Sequence, residues 1–427
     1  MKEWDSFDKI TTGKGMWLID SKGNRMLDGV ASMWCNVWGH SNPELVKAIV
    51  NQSKKLQHSS MFNLTNEPAE KLAENLVKIS PGMYKVFFSD NGSTAMEIAI
   101  KLSLQYWKNI GERKKTKIAT IENGYHGDTF GAMSVGYIPE FFGKFKEQLF
   151  STIQFPVPNK YRIPKGFTFS DYQNYCIENI EKKFSKNNNI AAFIMESGAQ
   201  VAGGVIIYPK GFQRMISKIC KKYDVLFVLD EVATGFGRLG SMIQYQEQKS
   251  TPDIVAYGKM LTGGYLTMAA TLTNKKIYDS YLGEFNDWKH LFHGHTYTGN
   301  PIAAAVANEN LKMYQKNNLI RRIQKTSKVF EKFYQEISEI DIVGDIRHKG
   351  MLMGIELVTN KKKKTPINPK RSINKIFFEE GKKQGIYLRT LGNIVMLVPP
   401  LAISEKELDL LLNRTIRTIK AARSKVV

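Results

Sequence analysis

Cysteine is scarce in this chain of 427 residues: Cys35, Cys176 and Cys220 are odd in number and far apart. That spacing excludes a disulfide framework and a paired-thiolate metal site, and it fits a reducing cytoplasm. No window approaches the roughly 18 apolar residues that a membrane-spanning helix needs. The opening stretch Met1-Lys2-Glu3-Trp4-Asp5 lacks the apolar core of a secretion signal. Repeats and low-complexity tracts are also missing, and with them the case for a fibrous or disordered chain. Acidic residues run short, 40 against 61 Lys and Arg, for a net charge of +21. Such a charge permits attraction to nucleic acid or anionic lipid. Here, however, the basic residues are mostly Lys and are scattered along the whole chain, the pattern of a solvated surface. Neither nucleic acid nor a membrane is expected as a partner. The densest run, Lys361 to Lys364, precedes Thr365-Pro366-Ile367-Asn368-Pro369 and reads as an exposed loop.

What is present is enough apolar material, 42% of residues, to bury a large core, and enough length for two or more lobes. Short apolar runs alternate with longer helical patterns, which signals an α/β domain with a mostly parallel sheet. Val86-Phe87-Phe88-Ser89 reads as a buried strand, Asp90-Asn91-Gly92 as a turn, and Ser93 to Trp107 as a helix with Met96, Ile100 and Leu104 on one face. Ile190 to Met195 is a further strand. A helix from Phe212 to about Tyr223 leads into the strand Val225 to Leu229, which ends at Asp230. Further on, long Lys-rich amphipathic helices alternate with strand-like runs at Met351 to Leu357 and Ile394 to Val398. The expected organisation is a large domain over 42–305, a smaller α+β domain over 306–427, and an N-terminal segment, 1–41, packed with the small domain.

Asp230 and Lys259 both stand where parallel strands deliver their carboxyl ends, the place where ligands bind in such sheets. Lys259 follows Ile254-Val255-Ala256-Tyr257-Gly258. Pyridoxal chemistry needs this pair: a lysine to hold the cofactor aldehyde covalently, and a carboxylate to keep the pyridine nitrogen protonated. Taken singly, an Asp after a strand is more often structural or metal-binding, and a Gly-Lys pair says almost nothing. An ion pair would also suit the two. Asp90-Asn91-Gly92-Ser93-Thr94 turns into a helix whose first N–H groups could take a phosphate, with the hydroxyls of Ser93 and Thr94 serving either as donors or as an ordinary cap. In Gly124-Tyr125-His126-Gly127-Asp128-Thr129, Tyr125 is placed to stack on a flat ring, and His126 reads equally as a structural hydrogen-bonding residue. Phe292 to Pro301 reads as a second phosphate-touching loop ahead of a helix at Ile302 to Asn310. Its His293 and His295 have neither Cys nor carboxylate near them in sequence, so no metal is expected.

In motif order and spacing, Leu229-Asp230-Glu231-Val232-Ala233-Thr234-Gly235-Phe236-Gly237-Arg238, then Pro252-Asp253 and Gly258-Lys259 ahead of Thr262-Gly263-Gly264, resembles the class III aminotransferases from about Met16 to about Pro400. The wording Gln105-Tyr106-Trp107, Gly124 through Val135 and His293-Gly294 through Gly299-Asn300 is similar to the branch of that family that aminates 8-amino-7-oxononanoate in biotin biosynthesis. The resemblance implies a fold-type I pyridoxal-phosphate-dependent transferase, acting as a cytoplasmic homodimer with shared active sites. It implies ping-pong transfer of an amino group from a donor to that ketone, giving 7,8-diaminononanoate. Carried over by position, it makes Lys259 the covalent anchor and proton shuttle and Asp230 the pyridinium partner. Gly92 and Ser93 would hold the phosphate, with Thr296 reaching it from the other subunit, and His295 would be a further cofactor-binding residue. Tyr125 would stack on the cofactor and line the substrate site with Met33, Trp34, Lys259 and Gly294, and Arg389 would take the substrate carboxylate.

Two departures from the family wording stand out. Members usually carry an upstream Trp-x-Pro-aromatic-Thr segment whose aromatic lines the pocket, and this chain begins near where that segment ends. Met33-Trp34 stands where many adenosylmethionine-using members have Trp-Trp, and His293-Gly294-His295-Thr296-Tyr297-Thr298 differs from their Gly-Pro-Thr-Phe. S-adenosylmethionine is the default donor, with lysine as the alternative. The rival readings are another class III ω-amino acid transaminase and, more distantly, a basic nucleic-acid-binding protein that retains the fold.

Overall fold

The structure is a computed structural model that describes residues 7–426, so the opening stretch Met1 to Asp5 lies outside the described residues. Three N-terminal strands, β1 (Ile10–Lys14), β2 (Trp17–Asp20) and β3 (Arg25–Asp28), form an antiparallel meander. The central sheet contains β4 (Lys85–Ser89), β5 (Lys117–Ile121), β6 (Ile153–Phe155) and β7 (Ile190–Glu196). A short antiparallel hairpin, β8 (Ala199–Gln200) and β9 (Ile206–Ile207), follows; β10 (Leu226–Asp230), β11 (Ile254–Tyr257) and β12 (Ala269–Thr273) then complete the central sheet. Its strand order is β4-β12-β11-β10-β7-β5-β6. Six strands run one way, and β12 alone opposes both of its neighbours. Strands β7, β10, β11 and β12 are buried at every position, as expected of a sheet covered on both faces.

The C-terminal part builds a second, antiparallel sheet from β13 (Val343–Lys349), β14 (Leu352–Asn360), β15 (Thr365–Pro366), β17 (Arg389–Leu391) and β18 (Ile394–Leu397). The remaining strand, β16 (Ile386–Tyr387), lies parallel to β3 and so ties the N-terminal meander to the C-terminal part. A continuous helix, Pro301–Lys316, spans the expected division at 305/306. Among the described residues no helix is long and apolar enough to cross a membrane.

The topology matters for chemistry because the carboxyl ends of β4, β11, β10, β7 and β5 share one edge of the central sheet. Ser89, Tyr257, Asp230, Glu196 and Ile121 close those strands. The loops that leave this edge converge, and the helix Gly92–Asn109 starts there. Its N-cap is Asn91, whose side chain accepts the Thr94 N–H, while the Thr94 hydroxyl accepts the Asn91 N–H. Thr94 is thereby committed to the cap.

Candidate active site

The converging loops enclose a cavity of about 700 Å³. Of the residues expected from sequence, Met33, Trp34, Gly92, Ser93, Tyr125, Asp230 and Lys259 all line it. Strand pairing sets the geometry. Asp230 is level with Ala256 of β11 on one side and with Glu196 of β7 on the other. Lys259 follows two residues after β11, at a positive φ of 42°, in a short 3-10 turn. Its Nζ lies 5.5 Å from the centre of the Trp34 ring. Burial lowers the Lys259 ammonium from its ordinary range, against the opposing pull of Asp230 and Glu196. A lysine so placed more readily gives up its proton and acts as a nucleophile.

Asp230 is 5% exposed and doubly held. Its Oδ1 accepts the Val232 N–H at 2.9 Å, and its Oδ2 faces His126 Nδ1 at 2.8 Å. His126 is 2% exposed and serves as the orienting partner of Asp230. Glu196, at 4% exposure, accepts the N–H groups of Tyr125 and Val201 at 3.2 and 2.9 Å. Burial pushes this carboxyl up to about 7; His126 and the Val201 N–H pull it down, and the charge of Asp230 adds to the rise. The sequence argument that found Asp230 applies equally to Glu196, a single carboxylate ending an apolar strand. The strand was read to Met195, one residue short.

Tyr125 is backed by Phe142, with ring centres 6.1 Å apart and planes 19° from parallel, and its hydroxyl donates to Asp128 Oδ1 at 2.9 Å. Burial, then the charge of Asp128, raises the phenol, so Tyr125 stays neutral. Beside it, the Asp128 N–H donates to Ser93 Oγ at 3.1 Å and joins this loop to the helix start. Gly127, at φ +128°, leaves no room for a side chain against Ser93.

This donor set fits a phosphorylated pyridine. Gly92 is a cradle residue: a Cβ there would lie 2.6 Å from Val232 Cγ1, and one on Gly258 would lie 3.2 Å from the same atom. Val232 thus fills the space between two glycines, and the backbone at the helix start is left bare. The first-turn N–H groups lack acceptors within the helix and stand at the positive end of its dipole, where a phosphate belongs. Asp230, oriented by His126, can pair with a ring N–H, and Lys259 can hold an aldehyde.

The other expected residues lie outside this cavity. The Gly294 to Thr298 loop packs against β4 instead. His295 Nε2 approaches the Phe88 carbonyl at 3.2 Å, His295 Nδ1 lies 3.5 Å from Asp90, and His58 Nε2 contacts the Thr296 carbonyl at 2.6 Å. A Cβ on Gly294 would lie 2.6 Å from the Phe62 ring. Arg389 opens onto a neighbouring cavity, also lined by Met33. No group of three or more His, Cys, Asp or Glu side chains is placed to hold a metal ion among the described residues.

Comparison with known proteins identifies the family. The aminotransferase class-III family model matches residues 3–419. An adenosylmethionine-8-amino-7-oxononanoate aminotransferase from Staphylococcus aureus is 45% identical over 403 residues, covering 93% of this chain and 88% of the relative. The protein of that name from Geobacter sulfurreducens is 40% identical over 427 residues, covering 98% and 94%. Among solved structures, the protein of that name from Methanocaldococcus jannaschii superposes with a TM-score of 0.91 at 41% identity, covering 97% of this chain and 93% of the other. An ω-transaminase from Pseudomonas jessenii, solved in complex with PMP, gives 0.93 at 30% identity, covering 98% and 94%. The chain belongs to the class III aminotransferases, the pyridoxal-phosphate-dependent enzymes of fold type I.

Proposed function

We propose that the chain aminates the ketone of 8-amino-7-oxononanoate to give 7,8-diaminononanoate in biotin biosynthesis, with S-adenosylmethionine as amino donor. The observation that carries this reading is a cavity in which Lys259, Asp230, Tyr125 and the Gly92 helix start converge, in a chain whose relatives at 40–45% identity are named for that reaction. Pyridoxal phosphate supplies an electron sink that makes the C–H bond next to the amino group acidic. The chain's residues do the rest. Lys259 Nζ would hold the cofactor's aldehyde and, as a neutral amine, would serve as the base that moves the substrate's proton. Asp230, kept in place by His126 and the Val232 N–H, holds the proton on the ring nitrogen. The Gly92 and Ser93 N–H groups fix the phosphate, while Tyr125 and Trp34 wall the cavity.

Arg389 receives the acceptor's carboxylate in this reading, since it lies part-buried with no carboxylate partner among the described residues. A homodimer fits the large aromatics left in the open on the Leu282 to Thr298 loop, with Phe285 and Phe292 at 78% and 84% exposure. A second copy would cover them and would bring its own His295 and Thr296 to this cavity. The free state of Cys35, Cys176 and Cys220 suits the cytoplasm.

One observation favours a second donor, lysine: the half-exposed Met33 gives the cavity a thioether wall where a flat ring would stack on adenine. Incubating the loaded enzyme and 8-amino-7-oxononanoate with each donor separately, and quantifying diaminononanoate, tests both. Product with adenosylmethionine is expected. Product with lysine alone overturns the donor assignment, and product with neither overturns the substrate assignment.

A further inference from the structure

Four carboxylates line the reaction cavity: Asp90, Asp128, Glu196 and Asp230. Three of them meet a polar side chain. Asp90 faces His295 Nδ1 at 3.5 Å, Asp128 accepts the Tyr125 hydroxyl at 2.9 Å, and Asp230 meets His126 Nδ1 at 2.8 Å. Glu196 differs. Each of its oxygens accepts one backbone N–H, from Tyr125 and from Val201, and among the described residues it forms no ion pair with a lysine, arginine or histidine. A carboxylate offers about four acceptor positions, so about half of those on Glu196 stay open to a ligand.

Strand pairing places that carboxylate close to the chemistry. Glu196 is level with Asp230 on the neighbouring strand. Level residues of adjacent strands point to the same face, with the strands about 4.8 Å apart. Glu196 thus enters the cavity beside the carboxylate assigned to the ring nitrogen, and its charge acts on Lys259. Buried, with neutral N–H groups as its donors, its carboxyl is pushed up to about 7, and a cation docked against it would hold it ionised. The proposed acceptor carries such a cation. In 8-amino-7-oxononanoate a primary ammonium stands on the carbon next to the ketone, so the carbonyl that is to be aminated brings a positive charge into the same depth of the cavity. An ammonium taken out of water there needs a carboxylate partner.

We propose that Glu196 receives the ammonium of an α-amino ketone and so makes the cavity selective for acceptors with a cationic nitrogen beside the reacting carbonyl. The proposal rests on the reading of 8-amino-7-oxononanoate as acceptor and deepens it, by naming the group that tells an amino ketone from a plain one. The two ideas separate in one experiment.

The cofactor-loaded protein in its aminated form is mixed with 8-amino-7-oxononanoate, with 8-hydroxy-7-oxononanoate or with 7-oxononanoate, and the absorption of the bound cofactor is followed. The half-saturating concentration of each ketone is the readout, because an ammonium also activates the neighbouring carbonyl and would change the rate at saturation by itself. The parent is expected to need about tenfold less of the amino ketone than of either other ketone, and Glu196→Gln to shrink that ratio by about fivefold or more. Any slackening of the Tyr125 loop in the variant weakens all three ketones alike and leaves the ratio unchanged. A ratio within about twofold of the parent in Glu196→Gln therefore overturns the proposal and leaves Glu196 as a residue that holds loops. Equal use of the three ketones by the parent overturns it without any variant, while the acceptor reading stands. Failure of all three to take the amino group refutes the acceptor reading, and the ammonium site with it.

Discussion

Replacing Gly92 with alanine sets helix propensity against packing, and the structure decides between them. Gly92 opens the helix Gly92–Asn109, so an added methyl removes some backbone freedom from the unfolded chain, a gain of at most about 1 kcal/mol. Against it, the new Cβ would lie 2.6 Å from Val232 Cγ1 and 3.2 Å from Cγ2, where carbon atoms rest at about 3.5–4.0 Å. Val232 is 7% exposed and stiff about χ1, and its N–H is bonded to Asp230, so it cannot retreat without disturbing that carboxylate. Overpacking of this kind costs about 1–3 kcal/mol. The net effect on the cofactor-free fold is therefore small and unfavourable. The effect on the cofactor is larger, because the helix start must move by about 1 Å from the phosphate position to restore contact distance. Losing one charge-assisted hydrogen bond costs about 1.5–3 kcal/mol, or roughly 10- to 150-fold in affinity. Titration of the cofactor-free protein with pyridoxal phosphate measures it directly. Val232→Ala in the Gly92→Ala background relieves the contact and should recover much of the affinity. Gly92→Ala binding within twofold of the parent, or no recovery in the double variant, would refute the reasoning.

Three further outcomes are expected. Lys259→Met should stabilise the cofactor-free protein, since the parent's lysine has its folded pKa lowered below the unfolded value by burial. That destabilisation is complete below the folded pKa and vanishes above the unfolded one, so the stability gap measured by denaturant titration must shrink as pH rises through that window. A gap that widens with pH has the wrong sign for this account. Tyr125→Phe should cost the fold about 1 kcal/mol or less, because the Asp128 bond it loses is open to solvent, while substrate KM rises; a large loss of Tm would instead make Tyr125 a structural residue. Arg389→Ala should raise the acceptor KM by roughly 10- to 150-fold, the worth of a bidentate charged contact, and an unchanged KM removes Arg389 from the site.

Which parts of the site were legible in the sequence follows from how each part is held. Asp230 and Lys259 stood out because a buried parallel strand is an unbroken apolar run, and a lone polar residue at its end has few structural reasons to be there. The same signal was available at Glu196. His126 is different: its partner Asp230 is 104 residues away, and nothing local distinguishes an orienting histidine from any other loop histidine. Strand β12 was also missed. Ala269-Ala270-Thr271-Leu272-Thr273 has little bulk and no alternation, and its insertion between β4 and β11 against their direction is a matter of tertiary order. The contact between Met33 and Arg389 spans 356 residues and could only be seen in three dimensions. The Phe292 to Pro301 loop was rightly read as preceding a helix, but in its own chain it touches β4 and not the cavity, a placement that composition does not reveal.

The account turns on Lys259, and chemical trapping addresses it most directly. Hydride reduction of the cofactor-loaded protein fixes the link between cofactor and lysine, and peptide mass mapping then identifies the modified residue. The prediction is one modified lysine per chain, Lys259, with no modification in Lys259→Met. Modification of a different lysine in the parent, or an undiminished yield in Lys259→Met, would contradict the assignment on which every other role in the cavity depends.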